Sequence, residues 1–424
     1  MSKKQQILQS VPLVAIDMGS HCVRAMAAEL TENNMLRILG VESSSKFPCV
    51  ERGIVCNTSN SGYTISEILK FLSNRINVQS LPSAFVCVGG RTMQVVPVCS
   101  KRDQVRKREI SQKLLDEMEL ECKQKIEARN ADVAVLDLVP YYYKLDDMEQ
   151  DEQPTPNQRA AQIEAHFMAF VGKKDLEQKI TDSFHRSGKQ LEHSYVRPDA
   201  LLNVLTTESD AEKGCAILDL GAQTTTLTVY KGNQYLYNKV IPQGGYDITR
   251  DIEQIGISLA YAESLKCKYG YASADLVEKD LRFRIPAVEP TRGEIVITSS
   301  ELAQIISNRL SQIIDPLFEQ LNSESGRYGV LYITGGGSML QGILPYLQTK
   351  TTIPIMYGSH AAWLTPDTPD EMCMPTYSAL VGTLLLGASY RKAHPVAAPH
   401  NNRKKIIDFL TEKTLEIFLE QTEY

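Results

Sequence analysis

CAILDLGAQTTTLTVYKGN, residues 215–233, is the stretch that decides the fold. An apolar run leads into Asp219 and Gly221, and a run rich in β-formers follows, which predicts a β-hairpin with a glycine at its turn. The segment Leu13–Leu30, LVAIDMGSHCVRAMAAEL, has the same order of features around Asp17. A supersecondary unit that recurs at about half the chain length indicates two similar lobes. We therefore expect each lobe to present its turn from the end of a buried strand.

Each predicted turn offers groups that suit a phosphate ligand. The turns carry unshielded backbone N–H groups and the small hydroxyls of Ser20, Thr224 and Thr225, and such donors suit phosphate oxygens. The carboxylates of Asp17 and Asp219 suit the waters of a Mg²⁺ ion bound to those phosphates. A single Asp-x-Gly is more often an ordinary tight turn. Its duplication after a strand favours a phosphate site between the lobes.

A third stretch joins a strand to a glycine run. Val330–Thr334 predicts a β-branched strand, Gly335, Gly336 and Gly337 follow it, and Met339–Leu347 predicts a helix. Three glycines allow a ligand to approach the backbone closely, and a helix N-terminus favours negative charge. Together the three stretches resemble the actin, Hsp70 and sugar-kinase superfamily, in which they are the phosphate 1, phosphate 2 and adenosine segments. The resemblance implies an α/β, actin-like, two-lobed ATPase fold that binds ATP with Mg²⁺.

Composition is compatible with this class. The chain has 424 residues, of which 43% are hydrophobic and 23% are charged, and this length allows about two to four subdomains. A net charge of −6 argues against a general affinity for nucleic acid. The nine cysteines form no CxxC pair, so we expect reduced core residues. Residues 1–10 lack the apolar region of a secretory signal, and no apolar run reaches the roughly 18 residues of a membrane span.

An inserted module separates the two halves of the first lobe. Before it, Leu36–Ser43 predicts a strand and Thr64–Asn77 predicts a helix. The module itself is predicted to run strand, strand, long charged helix, strand and strand, over Ala84–Val88, Met93–Val98, Gln104–Arg129, Val133–Leu145 and Ala161–Val171. We expect a strand-helix-strand-strand subdomain of about 90 residues, with a polar loop over 146–157.

With this module the chain resembles the FtsA family of bacterial cell-division actin homologues over nearly its whole length. The pieces that carry the resemblance, beside the hairpins, are LGVESSSKFPCVERGIVCN, AFVCVGGRTM, VLDLVPYYYKLD, VIPQGGYDITRDIEQIGISLAYAESLKCKYG, LYITGGGSMLQGI and PTYSALVGTLLLG. The resemblance implies that the module is subdomain 1C, which contacts other protomers of a polymer and later division proteins.

The resemblance also implies a division of the chain. The expected parts are subdomain 1A at 1–82 with phosphate 1, the inserted subdomain 1C at 83–173, subdomain 1A again at 174–213, subdomain 2A at 214–245 with phosphate 2, subdomain 2B at 246–328, the return of 2A at 329–374 with the adenosine loop, the closing helix of 1A at 375–390, a linker at 391–402 and an amphipathic helix at 403–424.

The matching positions imply a set of nucleotide-binding residues. They are Asp17, Gly19 and Ser20 in phosphate 1, Asp219, Gly221 and Thr224 in phosphate 2, Gly335, Gly336 and Gly337 in the adenosine loop, and Glu263 and Lys266 against the ribose and base. From their i,i+3 spacing alone, Glu263 and Lys266 would instead be a surface ion pair.

Two departures bear on hydrolysis. FtsA relatives usually have a Gly-rich phosphate 2 turn and a further Asp, where this chain has Gln223, and phosphate 1 has His21-Cys22 in place of a Lys. Gln223, expected as a twelfth nucleotide-binding residue, could position a water, but a neutral amide is a poor base. We therefore expect ATP binding with slow or absent hydrolysis.

Partner residues follow from the resemblance alone. In FtsA a helix of subdomain 2B receives the acidic C-terminal tail of FtsZ, and Arg309 has a matching position, with Arg282 and Arg284 as weaker candidates. Each of these arginines, taken singly, is more often a solvated surface charge.

The last segment predicts a terminal amphipathic helix. Its apolar face is formed by Ile406, Ile407, Phe409, Leu410, Ile417 and Phe418, and Arg403, Lys404 and Lys405 stand at its start. Such a helix behind a linker fits the membrane anchor of the family, and implies a peripheral protein on the cytoplasmic face of the bacterial cell membrane at the division site. Its acidic polar face departs from the usual anchor. The alternative is a helix that packs on a partner or on its own body.

Three other functions share parts of this sequence pattern. A sugar kinase would need a catalytic base beside a sugar pocket, and the sequence offers no candidate. A chaperone of the Hsp70 type would need a separate substrate domain after the ATPase. A cytosolic homologue like PilM of pilus assembly shares the insert and the nucleotide site, and the segment 403–424 favours FtsA over it.

Overall fold

The computed structural model describes residues 11–394 except 151, 152, 156, 233, 290, 292 and 324–327. Its strands in chain order are β1 Leu13–Met18, β2 Val23–Leu30, β3 Leu36–Ser44, β4 Val50–Glu51, β5 Ile54–Val55, β6 Ser83–Val88, β7 Gln94–Glu109, β8 Val133–Leu145, β9 Met148–Gln150, β10 Arg159–Lys173, β11 Gln190–Val196, β12 Cys215–Leu220, β13 Thr225–Lys231, β14 Gln234–Ile241, β15 Arg282–Pro286, β16 Glu294–Thr298, β17 Val330–Thr334 and β18 Ile355–Tyr357. Its α-helices are α1 Thr58–Arg75, α2 Gln112–Arg129, α3 Asp175–Ser187, α4 Arg197–Leu205, α5 Glu208–Lys213, α6 Gly245–Glu253, α7 Leu259–Tyr269, α8 Ser299–Ser323, α9 Ile343–Gln348 and α10 Ser378–Ala393.

The first lobe is a five-stranded sheet in the order β11-β6-β1-β2-β3. Strands β1 and β2 form the predicted hairpin, in register from Leu13 opposite Ala28 to Met18 opposite Val23. Every residue of β1 is buried, because helices α1 and α3 cover one face of the sheet while α4 and α10 cover the other. A strand that is apolar on both faces is the pattern expected for the centre of a layered α/β domain.

The second lobe repeats this plan with the sheet order β14-β13-β12-β17-β18. Strands β12 and β13 pair from Cys215 opposite Tyr230 to Leu220 opposite Thr225, and β17 lies parallel to β12. The long helix α8 packs its apolar side into the same core. The duplication predicted from the two Asp–Gly hairpins is therefore present, and the mixed α/β two-lobed fold is confirmed.

The inserted module is a second kind of unit, a four-stranded sheet in the order β7-β10-β8-β9 with α2 packed against it. The short strand β9 lies within the region predicted as a loop. Strand β6, predicted as the first strand of the module, instead pairs parallel with β1 and β11 in the first lobe. The module therefore departs from the first sheet after Val88.

The helix of the module begins later than predicted. Residues 104–109, predicted as its first turns, belong to β7, where Arg108 lies opposite Ala160 of β10. Strand β7 is at the edge of its sheet, and an edge strand tolerates charged side chains because solvent reaches them. Helix α2 starts at Gln112, where the Ser111 hydroxyl accepts a hydrogen bond from the N–H of Leu114, which is a standard N-cap.

Two other helices differ from the sequence prediction. Helix α1 begins at Thr58, six residues early, because the Asn57 side chain caps it by accepting from the N–H of Asn60 at 2.9 Å. The predicted helix over 339–347 is a 3₁₀ turn over Gly336–Met339 followed by α9. Gly342, with φ of +71°, separates the two, because a left-handed residue cannot continue a right-handed helix.

Within the part of the chain that the structure describes, no helix is long and apolar enough to cross a membrane. The predicted amphipathic helix over 403–424, with all of its candidate membrane residues, lies outside the described residues.

Candidate functional site

A deep cleft lies between the two lobes, with a cavity volume of about 340 Å³. All three predicted loops line it. The lining includes Asp17, Gly19, Ser20, Asp219, Gly221, Thr224, Glu263, Lys266, Gly335, Gly336 and Gly337. The fold therefore brings eleven of the twelve predicted nucleotide-binding residues to one cavity, although they span the chain from β1 to the end of β17.

Both hairpin turns contact neighbouring backbone closely at the cleft. The N–H of Gly221 donates to the carbonyl of Thr224 at 2.9 Å, and a Cβ at Gly221 would lie 2.6 Å from that carbonyl oxygen. In the first turn, the Ser20 hydroxyl accepts from the N–H of Gly53 at 3.0 Å. The second turn requires a glycine because neighbouring backbone approaches it closely, more than because the backbone there needs an unusual φ.

Gln223 is the predicted residue that does not line the cleft. Its side-chain oxygen accepts a hydrogen bond from the N–H of Arg52 at 2.8 Å, which joins the second hairpin to the first lobe. The amide is thus engaged in holding the lobes together. The interpretation of Gln223 as a residue that positions water for hydrolysis stays a prediction.

The third loop approaches the phosphate 2 hairpin closely. Gly335 has φ of +83°, and a Cβ there would lie 2.4 Å from Oδ1 of Asp219. A Cβ at Gly337 would lie 2.8 Å from Cβ of Leu220. At Gly336 the nearest atom to such a Cβ is 4.0 Å away, in Thr376, so this position is open.

Two further glycines of the cleft escaped the sequence interpretation. Gly244 and Gly245 line the cavity, and a Cβ at Gly244 would lie 2.4 Å from the carbonyl oxygen of Gly221. The signal was present in the sequence as a Gly-Gly pair at the start of α6. Their own N–H groups are used within the fold, because that of Gly244 donates to the Asp247 carboxylate at 2.8 Å and that of Gly245 donates to the carbonyl of Gly221 at 3.0 Å.

Glu263 and Lys266 form more than a surface pair. The Lys266 ammonium donates to Glu263 at 2.8 Å, to the Thr249 hydroxyl at 2.7 Å and to the carbonyl of Gly245 at 2.7 Å. Its side chain is 12% exposed. Burial alone would raise the pKa of Glu263, but the hydrogen bond and charge of Lys266 outweigh it and lower that pKa. The pair is therefore held charged at the wall of the cleft.

Arg197 is the functional candidate that sequence reasoning missed. It is the first residue of α4, and its Nη1 donates to Oδ1 of Asp17 at 2.8 Å while its Nε donates to Oδ2 of Asp219 at 2.5 Å. Burial would lower the pKa of the guanidinium, but the two carboxylates raise it well above its usual value. The available signal was an Arg-Pro pair after a strand, with the proline at the first turn of a helix.

The candidate partner arginines differ in their availability. Arg309 is bound at both ends of its fork by Asp251, at 2.6 Å and 2.7 Å, and its third nitrogen donates to Gln312 at 2.8 Å. Arg282 and Arg284 are exposed and lie on the same face of β15. Arg309 is therefore already engaged with Asp251 while the two arginines of β15 face solvent, and the assignment of all three to a partner stays a prediction.

Comparison with known proteins agrees with the geometry. The family model "Cell division protein FtsA" matches residues 216–382. The chain is similar to the cell division protein FtsA of Pseudomonas aeruginosa, with 24% identity over 88% of this chain and 89% of that one. It is also similar to the FtsA of Streptococcus pneumoniae, with 22% identity over 78% of this chain and 72% of that one. The FtsA of Escherichia coli is 23% identical over 88% of this chain and 90% of that one.

Solved structures share the fold. A chain of a PilM–PilN type IV pilus biogenesis complex superposes with a TM-score of 0.64 at 16% identity, covering 88% of this chain and 98% of that one. MreB5 of Spiroplasma citri bound to ADP superposes with a TM-score of 0.55 at 12% identity, covering 92% and 99%. The actin-like fold and the resemblance to FtsA across most of the chain are thus confirmed.

Proposed function

We propose that this chain, an actin-like relative of the FtsA cell-division proteins, binds ATP between its lobes and tethers FtsZ to the cytoplasmic face of the cell membrane at the division site. The observation that carries the proposal is the interlobe cleft, in which the phosphate 1, phosphate 2 and adenosine loops converge. The tether further requires a surface for the FtsZ tail and an anchor for the membrane.

The chemistry of the cleft favours an adenine nucleotide. Backbone amides at glycines without Cβ atoms suit phosphate oxygens, and the Glu263 carboxylate, held charged by Lys266, offers an acceptor to a ribose or base. The MreB5 chain of similar fold was solved with ADP, which supports the same class of ligand here. A lobe on each side of the ligand means that binding would couple to closure of the two lobes.

Nucleotide hydrolysis is proposed to be slow. Gln223 is held by Arg52, and Asp17 and Asp219 are both paired with Arg197, so none of the three is a free base. ATP then acts mainly as a ligand that holds the lobes together and favours polymer. A turnover of about 1 s⁻¹ or faster, within the ordinary enzyme range, would contradict this part of the proposal.

The FtsZ tail is proposed to bind beside β15. Arg282 and Arg284 give this strand two positive charges on one face, and Val296, directly across from Arg284 in β16, is 54% exposed. Exposed arginines next to an apolar side chain suit an acidic peptide that also carries apolar residues. Because Asp251 already neutralises Arg309, that residue is not proposed as the primary contact.

Self-association and contacts with later division proteins are proposed for the inserted module. Among the residues that the structure describes, no strand pairs with the outer side of its edge strand β7, and Val105 on this strand is 96% exposed. An unpaired edge with an exposed β-branched residue is a template for another chain.

Membrane attachment is proposed for residues 403–424, on the strength of their amphipathic pattern.

One pelleting experiment tests the tether. Purified protein is mixed with anionic liposomes, ATP and a peptide of the acidic FtsZ tail, and the same is done with a chain that ends at residue 402. We expect the full chain to pellet and to bring the peptide with it, and the truncated chain to stay in solution. Pelleting of the truncated chain would contradict the anchor.

The peptide site has its own control. The double variant Arg282→Glu with Arg284→Glu is expected to lose the peptide, whereas Arg250→Glu, which reverses an exposed arginine on α6, is expected to keep it. ATP binding without recruitment of either lipid or peptide would turn the proposal toward a cytosolic homologue of the PilM kind.

A further inference from the structure

A guanidinium lies between the two phosphate-loop carboxylates. Arg197 donates to Asp17 of the first lobe at 2.8 Å and to Asp219 of the second lobe at 2.5 Å, and it lines the cleft itself. Both carboxylate side chains are less than a tenth exposed, and the side chain of Arg197 is 23% exposed. The two turns that face each other across the cleft are therefore joined through one positive charge.

This arrangement changes the charge that a ligand meets. Two buried carboxylates without a counter-ion would repel a polyphosphate and would attract a divalent cation. With Arg197 between them the net charge of the group is −1, and two of the five guanidinium donors are used in these bonds. Toward the other described residues the remaining donors make no hydrogen bond, so they can serve phosphate oxygens, which guanidinium groups bind well.

The residues present do not fit the predicted Mg²⁺ site. A Mg²⁺ ion held through the waters of Asp17 and Asp219 would stand beside a guanidinium that already binds both carboxylates, and like charges at this range repel. Oδ1 of Asp219 is buried without a hydrogen-bond partner in the structure, but this one oxygen lies against Gly335.

We propose that Arg197 takes the place of the divalent cation, so that the cleft binds the polyphosphate of its nucleotide without Mg²⁺. The inference rests on the nucleotide binding proposed above and concerns the form in which the nucleotide binds. Arg197 offsets one of the two carboxylate charges, would offer its remaining donors to the phosphates, and joins both lobes. The nucleotide is then a structural ligand rather than a metal-activated substrate, in agreement with slow hydrolysis.

The test is a titration of the full chain with a fluorescent ATP analogue, in excess Mg²⁺ and in excess EDTA. We expect the two dissociation constants to agree within about threefold. We also expect the midpoint temperature of thermal unfolding in EDTA to rise on addition of ATP. Loss of about tenfold or more in affinity on chelation would overturn the inference while leaving ATP binding intact. Absence of binding in both conditions would overturn the nucleotide proposal and this inference together, so the two failures are distinguishable.

Variants separate a role toward the ligand from a purely structural one. Arg197→Gln frees both carboxylates, and we expect it to bind the analogue about tenfold or more weakly in EDTA and to regain affinity with Mg²⁺. Arg197→Lys keeps the charge and should remain independent of the metal. The matched control is Arg391→Gln, which breaks a similarly buried arginine–carboxylate pair with Glu192 at 2.6 Å and 2.9 Å, away from the cleft.

The control decides between the alternatives. If Arg197→Gln and Arg391→Gln lose stability alike and neither changes the metal dependence of binding, Arg197 is a structural ion pair and the inference is wrong. If Arg197→Gln fails to fold, the comparison of Mg²⁺ with EDTA in the unmodified chain and in Arg197→Lys still decides the question.

Discussion

Replacing Gly335 with alanine should lower the stability of the folded chain, whereas the same change at Gly336 should weaken only the binding of the ligand. At position 335 the backbone has φ of +83°, which costs an alanine about 1–2 kcal/mol. The added methyl would also lie 2.4 Å from Oδ1 of Asp219 and 2.7 Å from the carbonyl oxygen of Leu220, and overpacking of this kind costs about 1–3 kcal/mol. The smaller entropy of the unfolded alanine chain offsets about 0.4–1 kcal/mol.

The expected loss for Gly335→Ala is therefore about 1–5 kcal/mol in the free energy of unfolding. Gly336→Ala meets no atom closer than 4.0 Å, so its stability should stay within about 0.5 kcal/mol of the unmodified chain. Because Gly336 lines the cleft, the extra methyl should still weaken ATP binding by about tenfold.

Urea unfolding followed by circular dichroism measures the first effect, and titration with a fluorescent ATP analogue measures the second. The reasoning is refuted if Gly335→Ala is as stable as the unmodified chain. It is also refuted if Gly336→Ala binds the analogue normally, since the loop would then not approach the ligand.

Three further variants test other parts of the structure. Burial and the nearby charge of Asp199 raise the pKa of Asp137 to about 7, so the unmodified chain should lose stability as pH rises from about 4 to about 7. The stability of Asp137→Asn relative to the unmodified chain should therefore be about 2–4 kcal/mol higher at pH 8 than at pH 4. Equal pH profiles in urea unfolding would contradict this. Gln223→Ala should lower the free energy of unfolding by about 1 kcal/mol through the lost interlobe hydrogen bond and leave ATP turnover unchanged. A drop in turnover would instead support a role of Gln223 in positioning water. Lys266→Met should lower ATP affinity by about tenfold while the exposed control Lys268→Met does not, and equal affinity of both in a nucleotide titration would remove the pair from the site.

Several features were predictable because they depend on local sequence. The two hairpins and the strand before the glycine run follow from alternation, β-branching and turn glycines, and each is found where predicted. Strand β8, Val133–Leu145, was predicted with its observed ends. Resemblance then added the assignment of Glu263 and Lys266, which spacing alone would have treated as a surface pair.

Other features required contacts between distant residues. The charged residues 104–109 resemble the start of a helix, but pairing with β10 makes them an edge strand. Arg309 looked free because its partner Asp251 is far away in sequence. The position of Gln223 depends on Arg52 in the opposite lobe, and no local pattern contains that information.

The sequence by itself determined that this chain has two similar lobes, each with a glycine turn at the end of a buried strand, and that it resembles FtsA. Those properties depend on hydrophobic period and turn chemistry, which act over a few residues. Only the tertiary structure decided that Arg197 lies between Asp17 and Asp219. The three residues come from α4 and from two separate hairpins, and only the packing of the lobes brings their charges within hydrogen-bonding distance.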